Sequence, residues 1–157
     1  MAKATFAAGC FWGVEAAFRK VEGVTATSVG YIGGDVPNPT YERVRTGQTG
    51  HAEAVEVEFN PARVDYSELL NVFWGAHDPT QLNRQGLDFG TQYRSGIYFH
   101  DADQEATARA SKEAQRASGH HQGEIVTEIT PTSEYWRAED DHQQYFETHG
   151  RRRLGLF

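Results

Sequence analysis

Apolar and polar positions along the chain follow two periods, and the places where one gives way to the other mark its elements. Ala4 to Ala8 is a short run of small and apolar residues suited to a buried strand. Val14, Ala17, Phe18 and Val21 then recur at the i, i+3, i+4, i+7 spacing of one helix face, with Glu15, Arg19, Lys20 and Glu22 on the other and Gly23 as the stop. Val24 to Tyr31 reads as a second strand. Ala52 to Phe59 alternates, with Val55, Val57 and Phe59 on one face and Glu56 and Glu58 on the other. By that parity Glu53 falls on the valine side. There it is either buried with a raised pKa, or turned into water at the strand's first residues.

Asp65 with Glu68 three residues on predicts a capped helix that buries Tyr66, Leu69, Leu70 and Phe73 and ends near His77-Asp78-Pro79. Gln92 to His100 predicts a strand. Asp101 caps an alanine-rich helix expected to pack through Ala102, Ala106, Ala110 and Ala114 and to stop at Ser118-Gly119. Ile125 to Thr130 predicts a further strand. Ala138 to His149 predicts a helix with His142, Tyr145, Phe146 and His149 on one side. The order of elements predicts the α/β (α+β) class: a ferredoxin-like split βαβ sandwich whose mixed or antiparallel sheet is covered by helices. A purely parallel sheet is excluded, because no helix separates the second strand from the third. Two long polar stretches interrupt the pattern, Gly33 to His51 and Thr80 to Thr91. Connections of that length usually lie over a site.

Composition adds bounds. The 157 residues, 38% hydrophobic and 24% charged, fit one catalytic domain from 1 to 157, large enough to bury about two thirds of its unfolded surface. No segment is apolar for long enough to span a membrane. A net charge of −7, thinly spread, argues against a nucleic-acid partner. The basic run Arg151-Arg152-Arg153 reads as part of a short flexible tail, 151–157, after a helix ending at Gly150. With one cysteine and no secretory signal, the expected location is the cytoplasm and the expected state a monomer.

Cys10 carries the candidate chemistry. It sits where a strand turns into a helix, near the unpaired N–H groups and positive end of the helix dipole, a setting that favours the thiolate. A lone cysteine is equally a small buried hydrophobe. The histidines show no HExxH or CxxC context, and the glycine-rich segments lack a P-loop lysine, so neither a metal nor a nucleotide is expected.

The residues around Cys10 and along the two polar stretches resemble the peptide-methionine sulfoxide reductases of the A type. The matching pieces are GCFWG at Gly9–Gly13, VGYIGG at Val29–Gly34, PTYERV at Pro39–Val44, TGHAEAV at Thr49–Val55, HDPT at His77–Thr80, DFGTQYRS at Asp88–Ser95, IVTEI at Ile125–Ile129 and AEDDHQQYF at Ala138–Phe146, in family order. The resemblance implies reduction of the S epimer of methionine sulfoxide, free or in proteins, through a sulfenic acid on Cys10. It implies Glu53 as the acid that protonates the departing oxygen, and Tyr41 and Tyr93 as phenols that hydrogen-bond it. Phe11 and Trp12 would wall the S-methyl group, and Asp88 would support the pocket. Many members carry further cysteines in a C-terminal tail. This sequence leaves the pattern after Phe146 and has none there. The implied reductant is therefore an external thiol, thioredoxin or glutathione with a glutaredoxin, and no bound cofactor. The alternatives are a thiol peroxidase, a cysteine hydrolase with His51 or His142 as base, or a non-catalytic binding module with a structural thiol.

Overall fold

In the computed structural model, residues 1–149 are described. The expected tail at 151–157 and the helix end at Gly150 lie outside them. The chain opens with β1 (Ala2–Ala8), α1 (Phe11–Arg19), β2 (Val24–Ile32), α2 (Tyr41–Val44), β3 (Ala52–Phe59) and α3 (Tyr66–Gly75). A small hairpin of β4 (Arg84–Gln85) and β5 (Asp88–Phe89) and a 3₁₀ turn (Thr91–Tyr93) precede β6 (Ser95–Phe99) and α4 (Ala102–Ser118). The described chain closes with β7 (Glu128–Pro131), β8 (Tyr135–Arg137), a second 3₁₀ turn (Asp140–His142) and α5 (Tyr145–Thr148).

The main sheet runs β7-β6-β1-β3-β2-β8. Only β6 and β7 are parallel; the other neighbours are antiparallel, so the sheet is mixed. β3 lies between β1 and β2, and β1 between β3 and β6. Each strand-helix-strand unit is thus split by a strand of the other. The apolar parity of the strands sets the two faces. Ala4, Phe6, Ala8, Val55 and Val57 meet Phe18 of α1 and Leu69, Leu70 and Phe73 of α3. Ala7, Ala52, Ala54 and Tyr98 form a smaller cluster with Ile32. Phe6 sits at the centre, stacked on Phe18 at 5.0 Å between ring centroids and tilted against Phe73 at 5.3 Å. Each such ring, fully buried, contributes roughly 2–3 kcal/mol. The predicted cap of α3 forms as a reciprocal pair: the Glu68 N–H donates to the Asp65 carboxylate at 2.9 Å, and the Asp65 N–H to Glu68 at 3.5 Å.

Two predicted faces and one predicted helix are overturned by long-range contacts. Glu15, assigned to the solvent face of α1, is fully buried. It accepts from the Thr27 hydroxyl at 2.7 Å, the Gln144 N–H at 2.9 Å and the Gln144 side-chain amide at 2.8 Å. The alanine face of α4 is exposed, and Gln104 and Ala108 are buried in its place. The Gln104 amide donates to the Lys3 carbonyl at 2.7 Å, and the Trp74 indole to Ser111 at 2.8 Å, which rotates the helix away from the apolar stripe. The helix predicted over Ala138 to His149 is two short pieces, broken where Gln144 adopts φ 47. Gln143 is pulled inward there, accepting from the Val29 N–H at 2.8 Å and donating to the carbonyls of Val29 and Ala138. At the other margins, Gln92 stands in the 3₁₀ turn and the strand starts at Ser95, while β7 starts three residues later than predicted, at Glu128.

Removing the Glu15 carboxyl leaves the part-buried Gln144 backbone N–H without its acceptor and its side-chain amide with only the Thr27 carbonyl. Glu15→Ala is expected to lower unfolding stability by about 3 kcal/mol, the cost of orphaning such groups. Denaturant unfolding measures it; a loss within about 0.5 kcal/mol, as for a surface change, would show that the contact contributes nothing.

Candidate active site

The strand β1 ends at Ala8, and the next two residues decide where the thiol stands. Gly9 adopts φ +95, and a Cβ there would come within 2.8 Å of Gln85 Cγ, so glycine is required both for the turn and for the close approach of the hairpin. Cys10 follows as the N-cap of α1, partly exposed, with its side chain making no cap hydrogen bond. The backbone N–H groups of Trp12 and Gly13, in the first turn of the helix, favour the charged sulfur, but weakly. Glu53 stands on the α1 side of the sheet, as parity predicts, and is 1% exposed. The Phe11 N–H donates to Glu53 Oε1 at 3.2 Å, while Oε2 has no partner among the described residues. The carboxyl is therefore tied to the residue that follows the cysteine, although 42 positions separate them in sequence.

Burial governs the protonation of this pair. It pushes the Glu53 carboxyl up to about 8, against the pull of the Phe11 N–H and with help from the Asp88 carboxylate. It pushes the Cys10 thiol up to about 12, followed in size by the Glu53 charge, with the N–H groups of Trp12 and Gly13 and the Asp88 charge acting more weakly. The expectation that the helix start favours a thiolate in the resting protein is corrected. Two N–H dipoles do not offset desolvation plus a neighbouring carboxylate. Charge on either group disfavours charge on the other, so the two titrate as a pair.

The phenols close around the same point. Tyr41 opens α2, where the Arg43 N–H donates to the Thr40 hydroxyl, and its own N–H donates to Glu139 at 2.9 Å. Its hydroxyl is held protonated by burial and by the Glu53 charge. Tyr93 ends the first 3₁₀ turn, and burial followed by the charges of Glu53, Tyr41, Asp88 and Cys10 raises its pKa too. Both hydroxyls are thus donors at neutral pH. Trp12 is half-buried: its indole N–H donates to His142 Nδ1 at 3.0 Å, and its ring lies flat on Tyr145 at 3.8 Å. Phe11 is fully buried, 5.8 Å from Tyr31 and 6.3 Å from Tyr41, and so backs the site. Asp88 is exposed on the hairpin.

The fold therefore brings Cys10, Glu53, Tyr41, Tyr93 and Asp88 into mutual electrostatic reach, with Trp12 beside Tyr41 at 6.3 Å. Sequence reasoning gave Tyr145 and Glu139 no part in it, and His142 only that of a base in the hydrolase alternative. His142 accepts from Trp12 and stacks 4.3 Å from Tyr41; Glu139 holds the Tyr41 backbone and accepts from Tyr31 at 2.8 Å. Their sequence signals are the AEDDHQQYF piece at Ala138–Phe146 and, for His142 and Tyr145, the aromatic and histidine side of that segment. His51 has both ring nitrogens engaged, with Gly34 N–H at 3.1 Å and the Val36 carbonyl at 2.7 Å, so it offers no base to the thiol. The groove of about 400 Å³ between α1 and α5 touches Trp12 but none of the five clustered groups. No helix among the described residues is long and apolar enough to cross a membrane.

The chain as a whole is similar to known proteins. Residues 2–155 match the family model described as peptide methionine sulfoxide reductase. The chain is 60% identical over 148 residues to the peptide methionine sulfoxide reductase MsrA of Methanoculleus marisnigri, covering 94% of this chain and 90% of that one. The structure of methionine sulfoxide reductase A of Corynebacterium diphtheriae superposes with a TM-score of 0.84 at 44% identity, over 92% of this chain and 73% of that one. Mxr1 of Saccharomyces cerevisiae, in complex with Trx2, is similar with a TM-score of 0.59 at 25% identity, over 92% of this chain and 84% of that one.

Alkylation by iodoacetamide is expected to be slow at pH 7 and to accelerate as pH climbs toward 12. Glu53→Gln, which removes the neighbouring charge, should move the profile to lower pH. Fast neutral alkylation of the wild type would mean that the helix N–H groups dominate. The carboxyl also makes stability pH-dependent. Between its ordinary value of 4.5 and about 8 the native chain holds a proton that the unfolded chain has lost. Stability therefore falls as pH rises through that window and levels off above it. Glu53→Gln should abolish this slope and be more stable at pH 7 by about 3 kcal/mol; parallel curves for the two proteins would contradict a neutral native carboxyl.

Proposed function

The chain belongs to the peptide methionine sulfoxide reductases, and from that premise we propose that Cys10, Glu53, Tyr41 and Tyr93 carry the reduction of methionine S-sulfoxide in a single domain spanning 1–157. The observation that carries the assignment is the Phe11 N–H bond to Glu53, which fixes a buried, readily protonated carboxyl one residue from the thiol.

In the reactive state the pair shares one proton, with sulfur as thiolate and carboxyl as acid. Sγ attacks the sulfoxide sulfur, Glu53 protonates the oxygen, and Tyr41 and Tyr93 hydrogen-bond it as its charge develops. The attack forms an Sγ–S bond to the substrate; that bond then breaks as oxygen bonds to Sγ, either as the hydroxyl passed from the substrate sulfur or as a water that replaces the one lost with the protonated oxygen, and Cys10 is left as a sulfenic acid. Two electrons have moved from the cysteine sulfur to the substrate sulfur, which leaves as the thioether of methionine. Trp12 supplies the apolar wall for the S-methyl group, with Phe11 behind it and Asp88 at the rim.

Recycling needs two thiols: the first displaces hydroxide as water and forms a mixed disulfide, the second releases Cys10. Within these 157 residues there is no second cysteine to supply either, so an external thiol does so. The Mxr1 complex with Trx2 supports thioredoxin in that place, whose dithiol provides both equivalents. Glutathione with a glutaredoxin is the alternative couple, and a cytoplasmic monomer fits either.

Incubation with separated sulfoxide epimers and dithiothreitol tests the reading. The S epimer should be reduced and the R epimer left. Cys10→Ser should abolish turnover, and Glu53→Gln should slow the single-turnover step by roughly 10²–10⁴. The wild-type step should quicken as pH rises through about 8, where the pair loses its first proton, and then level off. Near-normal kinetics in Glu53→Gln would remove that residue from the acid role.

A further inference from the structure

The hairpin that carries Asp88 has two unlike faces. Gln85 and Asp88 are paired across it. Gln85 packs against Gly9, accepts from the Asp78 N–H at 3.0 Å and donates to the Asp78 carbonyl at 2.6 Å, so it ties the hairpin to the turn before the thiol and leaves Asp88 at the exposed edge. Arg84 and Phe89 form the other pair, with the guanidinium 4.8 Å over the ring. That side is open to solvent. Phe89 is 65% exposed, Leu87 in the turn 92% and Leu82 just before the hairpin 66%. Among the described residues the one other large apolar side chain so exposed is Met1. Scattered exposed apolar residues are ordinary. Three within one short loop, bordering a reactive centre, form a patch of the kind that marks a recognition surface.

The loop is held in shape before anything binds. The Gly90 N–H donates to the Asn83 carbonyl at 2.9 Å, the Gly86 N–H to the Gln81 side chain at 2.7 Å, and Arg84 to the Gly86 carbonyl at 2.8 Å. Docking against it therefore costs little ordering entropy. We propose that Leu82, Leu87 and Phe89 form a docking rim for the polypeptide bearing the sulfoxide, and that they recognise apolar residues next to it in sequence. Methionine belongs mostly to buried apolar stretches, and oxidation makes it polar and disrupts such packing, so an exposed sulfoxide arrives with apolar neighbours. The free amino acid brings charged groups in their place and gains nothing from the rim. This inference rests on the reading of Cys10 and Glu53 given above and extends it to substrate class.

The test uses the full chain with dithiothreitol as reductant and three substrates: free methionine S-sulfoxide, and two blocked peptides of equal length with the sulfoxide between leucines and valines or between serines and glutamines. Wild type should show a KM roughly tenfold lower for the apolar peptide, the worth of partly burying one large side chain. The triple variant Leu82→Asn, Leu87→Asn, Phe89→Asn should lose that advantage while kcat/KM on the free amino acid stays unchanged. Leu87→Asn alone, at the most exposed position, should lose part of it. No flank preference in wild type, or a preference that survives the triple variant, overturns the proposal. A proportional fall on all three substrates would show that the residues only hold Asp88 in place, and overturns it too. A parallel assay with thioredoxin in place of dithiothreitol separates the two partners: unchanged peptide kinetics with a raised KM for thioredoxin in the triple variant would assign the rim to the reductant and overturn the proposal. Absence of turnover on every S-sulfoxide would refute the functional reading itself, a result distinct from active enzyme without flank preference.

Discussion

A carboxyl group buried at 1% exposure and tied by one backbone N–H to the start of a helix is the constraint around which the site is built. Desolvation of Glu53 is unfavourable for the fold and useful for the chemistry, because it keeps a proton near neutral pH on a group that would otherwise have lost it. The same environment raises the thiol, so the nucleophile is not a free-standing thiolate. Its reactivity is a property of the pair, and the short sequence distance from Phe11 to Cys10 ensures that whatever positions one positions the other. In the reaction proposed above, the sulfoxide oxygen would face an acid and two neutral phenols that the fold already holds near the sulfur.

The aromatic wall depends on a different part of the chain. Trp12 is held edge-on by His142 and face-on by Tyr145, and Tyr41 is pinned through its backbone by Glu139. All three supports lie in the segment after β8, which is anchored through Gln143 to Val29 and through Gln144 to the buried Glu15. Burial pushes the His142 pKa down, which keeps Nδ1 an acceptor for the indole at neutral pH. The C-terminal segment thus works as a brace: its energy is invested in polar contacts with the sheet, and its return is a fixed orientation of rings on α1 and α2.

Much of this was legible in the residues themselves. Period-two alternation in β3 placed Glu53 on the α1 side of the sheet, the Asp65 and Glu68 pair started α3 at the right residue, and the order of elements excluded a parallel sheet. The motif set from GCFWG to AEDDHQQYF pointed to the family and to its candidate site positions. What failed were faces and continuities. Glu15 looked solvent-facing because helical spacing cannot show that Gln144 comes to meet it. The alanine stripe of α4 looked like a packing face until Gln104 and Ser111 found partners on Lys3 and Trp74. The last helix looked continuous because nothing local announces that Gln143 will turn inward. The thiolate was inferred from two favourable dipoles, when the larger quantity was desolvation by neighbours remote in sequence.

The division follows from the range of the interactions. Local patterning and motif spacing determined which segments become strands and helices, which side of a strand is apolar, and which residue types belong to the chemistry, since these depend on contacts within about one turn or one pleat. Only the tertiary structure decided how far Cys10 and Glu53 are desolvated, which residues brace Trp12 and Tyr41, and that the hairpin displays Leu87 and Phe89 outward. Those properties arise where segments dozens of residues apart exclude water from one another, and no short stretch of sequence contains both sides of such a contact.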